Sequence, residues 1–85
     1  MDGMKNIILD VLSPESAICH AVVSRVELPG TLGRFVVLKD HAPLISSLEK
    51  GDIVYDGEDG QEMRCPISSG FVEICDNHVI ACVER

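Results

Sequence analysis

Short apolar runs, many with alternate residues polar, recur along this chain between clusters of Gly, Pro, Asp and Ser. A period near two marks half-buried strands, and the regular spacing of turn residues marks an all-β domain. Lys5 to Leu12 alternates loosely and ends at Ser13-Pro14-Glu15-Ser16, a turn that Pro14 enforces. Ala17 to Leu28 places Ile18, Val22, Val26 and Leu28 among polar His20, Ser24, Arg25 and Glu27, enough for one bent strand or two. Val22-Val23 breaks the alternation there, which predicts a bulge or a switch of strand. The Val, Ile and Cys content of the segment argues against a helix.

Downstream, Phe35 to Leu38, Leu44 to Leu48, Gly51 to Tyr55, Gln61 to Ser68, Gly70 to Cys75 and His78 to Val83 read as further strands. Asp56 to Gly60 forms a polar hairpin loop, and Asp76-Asn77 closes a tight hairpin. The pattern predicts one domain over residues 1–85, a flattened β-barrel or sandwich of about 8–10 short strands. The stretch from Leu28 to Leu44 carries the most specific turn chemistry. Pro29 fixes its own φ and Gly30 admits a positive one, so Leu28 to Gly33 is expected to reverse the chain. Pro43 keeps Ala42 out of the helical region and holds His41 and Ala42 extended.

With 85 residues there is room for a single thin core, burying roughly 60–65% of the unfolded surface. One Tyr, two Phe and no Trp leave Val, Ile, Leu and Cys to fill it. The formal charge of −7, from 14 acidic and 7 basic residues without a basic run, speaks against nucleic acid and against direct binding to anionic lipid. No apolar run approaches the ~20 residues of a membrane helix, and the N-terminal apolar run Ile7 to Leu9 is interrupted by Asp10. The four cysteines, Cys19, Cys65, Cys75 and Cys82, are then expected to be buried thiols of a reducing compartment.

Catalytic and metal chemistry find little support. Cys19 and His20 are adjacent, so on a strand they face opposite sides and cannot act as a nucleophile and base. Cys75-x-x-His78 is half of a zinc site, with no second pair at similar spacing. The acidic stretch from Asp52 to Glu62 lacks the Gly and Glu positions of an EF-hand, and Gly30-Thr31-Leu32-Gly33 lacks the Lys-Ser/Thr of a phosphate loop. We expect no catalytic residue, cofactor or metal site, and read His41 as a contact residue.

The order Leu28-Pro29-Gly30, Gly33, Phe35-Val36-Val37-Leu38 and His41-Ala42-Pro43-Leu44 resembles the epsilon subunit of rotary F-type ATP synthases, the subunit called delta in mitochondria. A second block, Ser69-Gly70-Phe71-Val72-Glu73-Ile74 with Asn77 and Val79 behind it, stands at the family's distance, and Ser13-Pro14-Glu15 fits its first turn. The resemblance implies a non-catalytic β-sandwich of the central stalk. It would couple the gamma subunit to the membrane rotor ring of c subunits during proton- or sodium-driven ATP synthesis. It would be peripheral, at the cytoplasmic face of a bacterial inner membrane as part of F1.

Carried over by position, Ser13, His41, Ala42, Pro43, Leu44 and Ser46 would meet gamma, and Gly30, Thr31, Leu32, Gly33 and Arg34 would lie toward the ring. Two departures stand out. Lys39-Asp40 replaces the family's Pro-Gly, which predicts a different turn into His41, and Arg34 offers a cation where relatives are acidic or neutral. Typical bacterial members continue into a two-helix C-terminal domain that inhibits hydrolysis, whereas this sequence stops at Arg85, so that hairpin and its inhibition are expected to be absent. The alternative is a free-standing β-barrel binding a small ligand or peptide, which leaves the Leu-Pro-Gly and His-Ala-Pro-Leu loops without a role.

Overall fold

A computed structural model describes residues 6–85 and shows eight strands and no helix among them. They are β1 (Ile7–Leu12), β2 (Ala17–Gly30), β3 (Gly33–Val37), β4 (Leu44–Leu48), β5 (Gly51–Gly57), β6 (Glu62–Ile67), β7 (Ser69–Cys75) and β8 (His78–Glu84). The expected start of the first strand at Lys5 lies outside the described residues. Ala17 onward is one strand of 14 residues that runs on through Leu28 to Gly30. Its register against β5 shifts between Val23 and Arg25, so the irregularity falls at Ser24, just beyond the Val22-Val23 pair.

Length lets β2 serve two layers. Val23 is the partner of both Ile7 and Gly57, and Val26 of both Val37 and Tyr55, so β1 and β3 follow one another along one edge of β2 while β5 takes the other. Ladders then run β1-β8-β7-β4 and return to β2 through the single pair Gly30↔Leu48. All are antiparallel except β1 with β8. The circuit closes a flattened barrel, and β5 and β6 extend the sheet from β2 and add Ile53, Cys65 and Ile67 to the core.

Alternation fills the interior. Ile7, Leu9 and Val11 from β1, Val72 and Ile74 from β7, and Val79, Ala81 and Val83 from β8 are buried and meet Val23, Val26 and Leu28 of β2. Fully burying one such aliphatic side chain contributes about 1.5–3 kcal/mol, and none of the described buried residues is polar or charged. In β5 Ile53 and Val54 are both buried, against the alternation. Val54 is flanked across the ladders by Glu27 and Arg64, whose long apolar stems can cover a neighbour while their charges stay wet.

The turns also differ from expectation at Gly30. Its φ is not positive; the residue with that conformation is Gly33, at 127°. Gly30 pairs with Gly33 across a two-residue tip, Thr31-Leu32. Glycine is required there by close approach, because a Cβ on Gly30 would lie 2.7 Å from the Gly33 carbonyl oxygen and 2.9 Å from Phe35 Cε1. Cysteine burial is uneven as well. Cys65 is buried, Cys19 and Cys82 are half-buried and Cys75 is exposed, because Cys75 ends β7 on its outward face.

Candidate functional site

Two stiffened segments lie at opposite ends of β4. At its N-terminal end, Leu38 to Pro43 leads into Leu44. The His41 amide donates to the Leu38 carbonyl (3.1 Å) and Asp40 takes φ 66°, the positive value that a type II turn carries at its third position. Lys39-Asp40 thus makes a tight turn without glycine. The Asp40 amide donates to Asn77 Oδ1 (2.6 Å), and Asn77 Nδ2 donates back to Asp40 Oδ1 (3.1 Å). His41 Nδ1 donates to the Ala42 carbonyl (2.7 Å).

At the C-terminal end of β4 stands the Gly30–Gly33 hairpin. The Thr31 amide donates to the Ser47 carbonyl (3.0 Å) and the Glu49 amide to the Pro29 carbonyl (2.9 Å), so the hairpin base is tied to β4 on both sides of Gly30. Leu32 at the tip is fully exposed, with relative accessibility 102%. Arg34 does not project with it. Its Nε donates to Glu27 Oε2 (2.7 Å) and its Nη2 to the Asp52 carbonyl (2.8 Å). Arg34, with Arg25 second, holds the Glu27 carboxyl below the usual range.

The remaining residues expected at the gamma contact divide by strand parity. Leu44 packs on the core and Ser46 is half-buried on the same side, whereas Ile45 between them is 73% exposed. Ser13 closes the turn after β1, its hydroxyl donating to the Ser16 carbonyl (3.1 Å). It does not join His41. The pairs Gly70↔Val83, Leu48↔Gly70 and Gly30↔Leu48 put Ser13, just past Leu12↔Cys82, at the hairpin end. Ile8, near the His41 end, is five residues away, or about 16 Å along the strand. Between the two ends the outer face carries Ile45 and Phe71, and beside Ser13 an open depression of about 650 Å³ lined by Leu12, Pro14, Phe71 and Cys82.

A charged cluster on that face was not foreseen. Asp10 of β1 is hydrogen-bonded to His20 Nδ1 on β2 through one carboxylate oxygen and to His78 Nε2 on β8 (2.7 Å) through the other. The two imidazoles, His20 first, hold its carboxyl below the usual range. His20 is ten residues from Asp10 and His78 is 68 residues away, and the register Asp10↔His20 and the parallel β1–β8 pairing bring them together. Cys75 and His78 do pair across the hairpin, but no group of three or more metal-ligating side chains suited to a metal ion occurs among the described residues. Cys19 and His20 face opposite sides, since the Cys19 Sγ is hydrogen-bonded with Tyr55 Oη (3.4 Å) while His20 meets Asp10.

The family described as the ATP synthase delta/epsilon chain beta-sandwich domain matches residues 6–85. The chain belongs to this family. It is 39% identical over 75 residues to the ATP synthase epsilon chain of Sulfurovum sp. (strain NBC37-1), covering 88% of this chain and 58% of that one. With the epsilon chain of Magnetococcus marinus it is 38% identical over 77 residues, covering 91% and 56%. The chain therefore spans little more than half the length of these relatives. Among solved structures, a chain of the Euglena gracilis mitochondrial ATP synthase (OSCP/F1/c-ring) superposes with TM-score 0.88 at 23% identity, over 94% of this chain and 51% of that one. The central stalk/c-ring structure of the Tetrahymena thermophila enzyme gives 0.76 at 13% identity, over 95% and 65%. Chains of these two ATP synthase structures thus share this fold at low identity.

Sequence reasoning missed Ile45, the outward residue of β4, although strict alternation from Leu44 to Leu48 contains the signal. It also missed the Asp40–Asn77 pair, for which no local signal exists.

Proposed function

We propose that this domain works in the central stalk of a rotary ATP synthase, coupling the gamma subunit to the membrane rotor ring of c subunits during ion-driven synthesis. The observation that carries the reading is one β4 strand with a stiffened loop at each end, in a chain of the delta/epsilon family. A body that passes torque between two partners needs two contact surfaces joined by something resistant to shear. A closed ladder of hydrogen-bonded strands supplies that link. The protein acts mechanically and carries out no chemistry itself. It sits peripherally at the cytoplasmic face of a bacterial inner membrane, held there by other subunits.

The His41–Leu44 loop serves as the gamma contact, with Ile45 as its apolar neighbour and Ser46 behind it. A gamma surface that also reaches Ser13 must lie along the outer face over Ile45 and Phe71, both exposed. Gly30–Arg34 forms the ring contact, led by Leu32. Because Arg34 is drawn back to Glu27 and Asp52, the tip offers the ring an apolar point in place of a cation.

The test pairs two partners with two variants. Pro43→Gly releases a pre-organised loop and should weaken binding of purified gamma by about 1 kcal/mol, close to fivefold in Kd. Leu32→Ser, at a fully exposed position, should leave gamma binding and stability unchanged and reduce capture on detergent-solubilised c-ring. Wild-type affinity of both variants for both partners would overturn the assignment.

A further inference from the structure

Asn77 lies in the turn between β7 and β8, yet its side chain serves a loop 37 residues earlier in the chain. The Asp76-Asn77 turn needs no help from that side chain. Both residues take positive φ, 52° and 62°, as a type I′ hairpin turn requires, and glycine at the second position suits such a turn at least as well. Asp40, a residue with a Cβ, is held at φ 66°, a conformation that non-glycine residues adopt uncommonly, Asn and Asp most readily among them. Asn77 meets it with two hydrogen bonds, one to its amide and one to its carboxylate. The Asn77 carbonyl also accepts from the Ile8 amide (2.9 Å), so the turn is fastened to β1 and cannot swing away.

We propose that Asn77 is a positioning residue for the partner-binding loop: its amide clamps Asp40 in the left-handed conformation that presents His41–Leu44 in its binding shape. The inference rests on the reading above that this loop meets gamma. Asn77 need not touch the partner; it sets the free loop in one conformation, which lowers the ordering cost of association.

Asn77→Gly keeps the hairpin turn and deletes both bonds to Asp40. In the isolated protein, amide exchange at Asp40 should rise at least tenfold while the β7 and β8 amides keep their protection. Affinity for purified gamma should fall roughly tenfold, with a less favourable binding entropy. Asn77→Asp should also weaken binding, because it sets two carboxylates against each other. The swapped pair Asp40→Asn/Asn77→Asp should recover it, since the carboxylate at 77 then accepts from both the backbone amide and the new side-chain amide at 40, and Asn tolerates positive φ. A residue that merely stabilised the fold would lower the protection of the β7 and β8 amides together with that of Asp40.

Unchanged exchange at Asp40 in Asn77→Gly overturns the clamp. Faster exchange with unaltered gamma affinity also overturns the proposal; if His41→Ala still weakens gamma in that case, the gamma reading stands. Should neither variant affect gamma binding, both fall.

Discussion

Gly30→Ala probes the point where the barrel closes and the hairpin begins. The new methyl would sit 2.7 Å from the Gly33 carbonyl oxygen, 2.9 Å from Phe35 Cε1 and 3.0 Å from Phe35 Cδ1. The Phe35 ring can tilt, but the carbonyl belongs to the residue paired with Gly30 across a two-residue tip, so relief requires the hairpin to open. Overpacking of this kind costs about 1–3 kcal/mol. The unfolded chain loses entropy when glycine becomes alanine, which returns about 0.4–1 kcal/mol. A net loss of about 1–2 kcal/mol remains, and for a domain of this size each kcal/mol lowers Tm by about 4–8 °C. Thermal unfolding by circular dichroism should therefore place the variant about 4–16 °C below wild type, with urea denaturation showing a reduced midpoint at unchanged slope. Gly60→Ala is the control, because nothing lies within 4 Å of its Cβ and only its φ of +81° opposes substitution. A Gly30→Ala midpoint equal to or above wild type would refute the close-approach reasoning and restore chain reversal as the reason for glycine here.

Three further outcomes follow from the site geometry. Because His20 and His78 hold the Asp10 carboxyl below its usual range, its contribution to stability is complete above about pH 4, the ordinary aspartate value, and is lost as pH falls through the lowered folded value; with both imidazoles exposed, Asp10→Asn should reduce stability at neutral pH by about 1 kcal/mol or less and flatten the acid limb of a Tm-against-pH profile, and an unchanged limb would remove Asp10 from acid unfolding. Burial pushes the Cys65 thiol up, while the Asp76 carboxylate pushes up that of exposed Cys75; Asp76→Asn, which suits the same positive φ, should speed alkylation of Cys75 at pH 8 several-fold without affecting Cys65, as read by peptide mass spectrometry. The single tyrosine, Tyr55, is pushed up to about 12 by its Cys19 hydrogen bond and by burial, so Cys19→Ala should lower the midpoint of its ultraviolet titration, and an unmoved midpoint would assign the shift to burial alone.

Alternation and turn chemistry, both local properties, were enough to determine the strands, the all-β class and the tight Asp76-Asn77 hairpin. Ile7, Leu9 and Val11 alternate inward because successive residues on a strand face opposite sides, and Asp-Asn tolerates the positive φ a two-residue turn demands. The order of Leu28-Pro29-Gly30 and His41-Ala42-Pro43-Leu44 was enough to point to the family. Tertiary structure decided what pairing and packing control. It set the circuit that closes through Gly30 and Leu48 and the withdrawal of Arg34 into contacts with Glu27 and Asp52. It also decided why Gly30 must be glycine, since the obstructing atoms belong to Gly33 and Phe35 and exist only once β3 has paired. Asp10 with His78, and Asp40 with Asn77, are joined across segments distant in sequence. No periodicity encodes such meetings, because ladder register fixes them and register is set by how the whole apolar face is buried.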